Sequence, residues 1–337
     1  MKRLMSSTSP QTLRLVALFL ALLATVLFFS TQIDGYLSGR MFNRIATSAA
    51  VVLPIAVGQA IVVMTRNIDL SAGSTLGVVA YITGQTLGTM PDLHPALVVL
   101  MAMGFGAAAG AINGILIAFG RVPSIIVTLG TLALFRSFLV EYSNATTITT
   151  ASLPVWLVDL PQKVLFSLGP LEMRLTVVLA LAVCVIVGLA LSRLRVARRF
   201  LAVGSNPDAV QMAGINSAWV VFVAFVLSGA LAGLSGFIFL AKFGNITVVA
   251  GLGFELKSIA AVVVGGVSIM GGSGSILGVL MGTVLVDTID NSLTRWDLVS
   301  EFWRDALLGM LIMAAVTVDT LASRSLTRLR GRSGGGQ

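Results

Sequence analysis

Charge is scarce in this 337-residue chain. Only 22 Lys and Arg and 14 Asp and Glu occur, 11% of the residues, against about 25% in an average soluble domain. Cysteine occurs once, at Cys184 inside an apolar run, which excludes an intrachain disulfide and a Cys-based metal cluster and suits a small buried hydrophobe. Histidine also occurs once, as His94 in the polar break Pro91-Asp92-Leu93-His94-Pro95. No G-x-S-x-G elbow accompanies it, so nothing supports a Ser-His-Asp triad. A phosphate-binding loop is missing too: Lys257-Ser258 is preceded by Leu256 where that motif needs Gly. The glycine-rich stretches join apolar runs and not βαβ units, so they are no dinucleotide fingerprint. These absences argue against an enzyme acting alone and against a bound cofactor.

What the chain has instead is apolar side chain, 56% of its residues without counting Gly. So little charge cannot coat a soluble fold, and the composition is that of an integral membrane protein. A span needs about 20 apolar residues, and ten runs qualify: 12–31, 45–65, 70–89, 96–119, 122–140, 174–192, 217–240, 256–270, 275–291 and 304–322. The first follows basic residues but has no convincing cleavage site, so it reads as an uncleaved span. The expectation is an all-α bundle of about ten transmembrane helices, residues 12–322. A short segment 1–11 and a basic tail 323–337 flank it.

With both ends inside, the cytoplasmic loops hold thirteen basic and three acidic residues, and the outer side nine basic and eleven acidic. The positive-inside rule therefore agrees with two cytoplasmic termini. The net charge of +8 is split among short loops, which excludes a nucleic-acid partner, and the tail suits anionic membrane lipid. Asp287, Asp290 and Asp319 stand near span ends and read as interfacial caps, where proton coupling would use acids in mid-bilayer.

Two loops exceed a simple turn. The segment 141–173 is expected outside as a small cap or docking surface. The segment 193–217 is expected inside; there Asn206, Pro207 and Asp208 signal a helix start and Gly214 a left-handed stop. That short helix is either an amphipathic connector on the headgroups or a docking element. Gly106-x-x-x-Gly110-x-x-x-Gly114, Gly229-x-x-x-Gly233 and Gly274-x-x-x-Gly278-x-x-x-Gly282 are expected to be helix-packing faces.

The segment Met64-Thr-Arg-Asn-Ile-Asp-Leu-Ser-Ala-Gly-Ser74 sets Arg66, Asn67, Asp69, Ser71 and Ser74 between two apolar runs. It reads either as a cytoplasmic turn with a cap or as a broken helix lining a polar path. Gly73-Ser-x-Leu-Gly-Val78 recurs as Gly274-Ser-x-Leu-Gly-Val279, a hint of internal duplication.

Four motifs in order carry a resemblance. Asn67-Ile-Asp-Leu-Ser-Ala-Gly-Ser74 resembles the "G-I-D-L-S-V-G-S" signature of ribose-type permeases of bacterial ATP-binding-cassette (ABC) sugar importers. Thr65-Arg-Asn-Ile-Asp69 is most similar to the autoinducer-2 and rhamnose branches. Val122-Pro-Ser-Ile-Ile-Val-Thr-Leu-Gly130 is similar to the family's "P-x-x-x-x-T-L-G" segment, and Gly204-Ser-Asn-x-x-Ala209 with Gly214-Ile215 to its ATPase-contacting loop. Glu255 to Ser275 resembles "E-L-x-A-I-A-A-V-V-L-G-G-x-S-x-x-G-G-x-G". The resemblance covers roughly residues 40–320; Asn67 and Ala72 depart from the usual Gly and Val.

The resemblance implies a permease of the type II ABC-importer-like fold in the bacterial inner membrane, importing a ribose-, rhamnose- or autoinducer-2-like solute. Its implied partners are a second permease subunit, identical or related, an ATPase holding ATP and magnesium, and a soluble binding protein outside. Gly204, Ser205, Asn206, Asp208, Ala209, Gly214 and Ile215 would couple to the ATPase, and Asn67, Asp69, Ser71 and Ser74 would line or shape the path. The competing readings are an ion- or proton-coupled carrier that needs no ATPase and a membrane scaffold without transport.

Overall fold

A computed structural model describes residues 10–296 and scattered positions from 303 to 317. The described residues are mostly helical (75%). Twelve α-helices follow one another among the described residues: α1 Pro10–Gln32, α2 Gly39–Met64, α3 Ala72–Thr89, α4 Pro95–Gly114, α5 Ser124–Ser143, α6 Val155–Asp159, α7 Leu175–Arg193, α8 Arg195–Ser205, α9 Pro207–Met212, α10 Ser217–Phe243, α11 Phe254–Val264 and α12 Ile276–Leu293. A π-helical turn, Ile115–Phe119, extends α4.

Among the described residues seven helices are long and apolar enough to cross a membrane, and the chain is a multi-pass membrane protein. The ten expected runs divide unevenly. Helix α3 has the length but is too polar to count; it is mostly buried in protein, so protein shields the polar groups that lipid would penalise. Helix α11 corrects the run 256–270: its 11 residues rise about 16 Å, half of a bilayer core, because Gly265 and Gly266 stop it. The run 304–322, most of the segment 1–11 and the tail 323–337 lie outside the described residues.

The bundle is built around α2 and α10. Nearly every side chain of α2 from Ala49 to Met64 is buried, and α10 packs against α4, α2 and α3. The crossing of α4 and α10 follows the glycines: a Cβ on Gly106 would overlap the Gly229 carbonyl oxygen, and one on Gly229 the Gly106 carbonyl oxygen. Close backbone approach is what associates helices in lipid. Gly278 and Gly282 similarly bring α12 onto Gly265 and Ala261 of the α11 end. Inside α2, Pro54 has no N–H to give the helical ladder, and the neighbouring Ile55 N–H donates to Ser235 Oγ of α10 at 3.0 Å.

The expectation of an all-α chain is corrected at one place. Strands β1 Val164–Leu168 and β2 Leu171–Arg174 pair antiparallel. Gly169, with φ of +59°, followed by Pro170 supplies a two-residue turn that opens on a glycine. Asn43 of α2 holds the hairpin, accepting from the Glu172 N–H at 2.7 Å and donating to the Pro170 carbonyl at 3.4 Å.

The two copies of the repeated motif take different places, Gly73 lying inside α3 and Gly274 preceding the Ser275 cap of α12, but the helices before them end alike. At the end of α2 the Arg66 N–H donates to the Val63 carbonyl (2.9 Å) and the Asn67 N–H to Val62 (3.3 Å). At the end of α11 the Gly266 N–H donates to Val263 (2.9 Å) and the Val267 N–H to Val262 (3.2 Å). Both are Schellman stops, and both left-handed residues, Arg66 (φ +66°) and Gly266 (φ +82°), stand 200 positions apart. The two turns touch, the Gly272 N–H donating to the Met64 carbonyl at 3.0 Å.

Candidate functional site

Beyond Arg66 the chain does not run out along a surface; it folds back into the bundle. The Ile68 N–H donates to Ser124 Oγ (3.2 Å), and Thr128 Oγ1 donates to the Ile68 carbonyl (3.3 Å). In the orientation that satisfies both partners, the Gln59 amide donates to the Asp69 carbonyl (3.1 Å) and accepts from the Asp69 N–H (3.2 Å). Gln59 lies five residues before the end of α2, so Asp69 sits about 8 Å back along that helix. The segment is a break between two helices, with α3 starting inside the bundle.

Around that start lies a buried polar cluster. Asp69 Oδ1 accepts from the Ser71 N–H (3.0 Å) and Ser71 Oγ (2.6 Å), and Asp69 Oδ2 from Ser228 Oγ of α10 (3.5 Å). Asn113 of α4 donates to Ser71 Oγ at 2.8 Å, and Ser74 Oγ donates to the Ser71 carbonyl at 2.8 Å. The carboxylate faces donors and the first turn of α3, where the helix dipole favours negative charge. Asp69, Ser71 and Ser74 are all buried, while Asn67 is half-buried and donates to the Thr65 carbonyl (3.0 Å). An apolar groove of about 400 Å³ between α3, α4 and α5 includes Thr75 in its wall, but otherwise residues such as Val78, Phe105, Leu134 and Phe138.

The second predicted group forms a capped helix. Asn206 Oδ1 accepts from the N–H groups of Asp208 and Ala209, both at 3.1 Å, which satisfies orphan donors of α9. Gly214 has φ of +76°, and the Ile215 N–H returns to the Val210 carbonyl at 3.1 Å. Asp208, Ala209 and Gly214 are exposed, and Met212 is 89% exposed. Under α9, Phe200, Val203 and Val210 pack into a core with Val220 and Phe225 of α10, while Arg195, Arg198 and Arg199 of α8 face outward.

Sequence reading treated these as two separate groups; the structure joins them. The Arg66 guanidinium donates through Nε to the Gly204 carbonyl and through a terminal nitrogen to the Ser205 carbonyl (2.8 Å). These carbonyls end α8 and have no helical donor of their own, and a cation there also meets the negative end of the dipole. The backbones are packed without space between them. A Cβ on Gly204 would overlap the Met64 carbonyl oxygen, and one on Gly272 would lie 2.7 Å from Ser205 Cα.

Residues that sequence reasoning missed include Gln59, Asn113 and Ser228. Their signal is a polar side chain within an apolar run, weak until three helices are brought together. A second correction concerns Asp287 and Asp290. Lys257 Nζ of α11 reaches Asp287 Oδ1 and Asp290 Oδ2, each at 2.7 Å, and Ser48 Oγ donates to Asp287 Oδ1 at 2.8 Å. Asp287 is fully buried, so these acids are no interfacial caps; their spacing of three turns both towards α11, where the lysine compensates them. Asp319 lies outside the described residues.

The family model for the permease component of a branched-chain amino acid transport system matches residues 41–316. The chain belongs to this permease family. Its relatives include the autoinducer 2 import system permease protein LsrC of Enterobacter sp. (strain 638), 34% identical over 316 residues, which cover 94% of this chain and 89% of the relative. The permease of the same name from Yersinia enterocolitica is 34% identical over 89% of this chain and 81% of its own length. That of Salmonella typhi is 32% identical over 89% and 84%. No solved structure matches the chain.

Proposed function

We propose that this permease forms the membrane path of an ABC importer for autoinducer-2 or a closely related sugar-like solute. The observation that carries the solute class is the similarity to autoinducer-2 permeases along 94% of the chain. A second permease subunit completes the path, a soluble protein delivers solute outside, and ATPase subunits close on ATP and magnesium inside. The membrane is the bacterial inner membrane, and the loop 193–217 and both termini are cytoplasmic, as the distribution of basic residues supports.

Helix α9 docks in a groove of the ATPase, with Met212 as its apolar anchor and Gly204, Ser205, Asn206, Asp208, Ala209, Gly214 and Ile215 shaping it. The support is physical: a short capped helix on a packed base, holding a large apolar side chain out in water. The break at Asn67, Asp69, Ser71 and Ser74 shapes the path from within the bundle, setting where α3 begins. Asp69, Ser71 and Ser74 act there through helix position, since protein surrounds them.

The test is uptake into proteoliposomes holding the permease, its ATPase and its binding protein. Labelled autoinducer-2 is expected to accumulate only with ATP, with ribose and rhamnose as weaker competitors. Accumulation of leucine in place of the sugar-like solutes would overturn the solute class. Uptake that persists without the ATPase would overturn the importer.

A further inference from the structure

The two stops at the ends of α2 and α11 share one backbone turn, but only one has a side chain at its left-handed position. Gly266 adopts φ of +82° without steric cost, whereas Arg66 adopts +66° as a residue that disfavours it. Observed backbone strain of this kind points to a side chain retained for its action. The action is visible in the structure: the Arg66 guanidinium holds the Gly204 and Ser205 carbonyls, the last two residues before Asn206, the cap of α9.

We propose that Arg66 is a positioning residue that transmits movement of α9 to the re-entrant segment 66–71, and so to the start of α3. The inference rests on the reading of α9 as the ATPase-docking helix. A push on α9 is felt first at Gly204 and Ser205, which its cap adjoins. Two features carry it onward. The Arg66 side chain grips both carbonyls, and the Arg66 backbone is the point where α2 ends and the segment to Asp69 begins. The glycine packing leaves no slack: Gly271 lies against Arg66, Gly272 against Ser205, and Gly204 against Met64. On the far side Ile68 is tied to Ser124 and Thr128 of α5, and Asp69 to Gln59 and Ser228. Displacement at Arg66 therefore reaches α2, α5 and α10 together.

The test uses the assembled complex of the permease with its ATPase subunits, with Cys184 replaced by Ala and a reporter introduced by Ile68→Cys. The rate of maleimide labelling is measured with and without AMP-PNP and magnesium. With Arg66 present, nucleotide is expected to change the rate by about tenfold. In Arg66→Gly, which keeps the left-handed turn and removes the guanidinium, the change should fall below about twofold, with the ATPase still co-purifying. An unchanged nucleotide response in Arg66→Gly overturns the inference, and so does the absence of any response with Arg66 present. Should Arg66→Gly not assemble, Arg66→Lys decides: a reduced response supports the grip, and a full one overturns it. If no ATPase co-purifies even with Arg66 in place, it is the docking reading that fails, and the inference with it.

Discussion

The turn that joins α2 to α3 and the turn that joins α11 to α12 share a backbone motif but differ in chemistry. The first carries Arg66, Asn67, Asp69 and Ser71; the second is built on Gly265, Gly266, Gly271, Gly272 and Gly274. In the first, side chains satisfy the break from within, with Asp69 and Ser71 bonded to α10 and α4. In the second, the absence of side chains lets the backbone approach α2 and α8 closely. One turn thus serves as a polar interior and the other as the close-packed surface against which it rests. The shared helix stop supplies the geometry, and the residue types assign the tasks.

Substitutions can break this comparison at graded cost. Asp69→Ala should have the largest effect, leaving buried donors on Ser71 and Ser228 unpaired and lowering stability by about 3 kcal/mol. Thermal unfolding in detergent reads it, and Asp69→Asn should lose less. Gly272→Ala follows, at about 2 kcal/mol, because the left-handed cost adds to a crowded approach to Ser205. Gly266→Ala should cost only about 1 kcal/mol: a Cβ there meets nothing nearer than Arg14 Cδ at 3.6 Å. Equal losses at these two glycines would refute the role given to close packing. Arg66→Gly should move stability by less than about 1 kcal/mol, since relief of the left-handed penalty offsets two lost hydrogen bonds. Its effect belongs in the nucleotide response. Met212→Ala should leave the melting temperature unchanged while weakening ATPase co-purification by about 1–2 kcal/mol in binding.

Much of this was legible in advance, and the reasons are local. Asn206 with Pro207, and Gly214 eight residues on, encode α9 through short-range hydrogen bonding, so its cap was readable. The glycine spacing of α4 and α10 fixed a packing face, because small residues at every fourth position can serve little else in an apolar helix. The length of α11 was legible only in part, since Gly265-Gly266 to Ser275 reads as a turn or a helix break while the apolar run goes on to 270. Lys257 showed only that it belongs to no phosphate loop; its ion pairs appear when α12 brings Asp287 and Asp290 to it. The hairpin 164–174 was missed, its strands being too short to show a period.

The sequence by itself determined the membrane class, the family and the local stops of the helices, since each follows from composition or from residues a few positions apart. Only the tertiary structure decided that segment 66–71 turns back into the bundle, that Asp69 and Ser71 meet Ser228 of α10 and Asn113 of α4, and that Arg66 grips the end of α8. These contacts join positions between 42 and 159 residues apart. No periodicity or local propensity spans such separations; they arise where glycine-lined helices approach closely enough for a guanidinium or a carboxylate to reach.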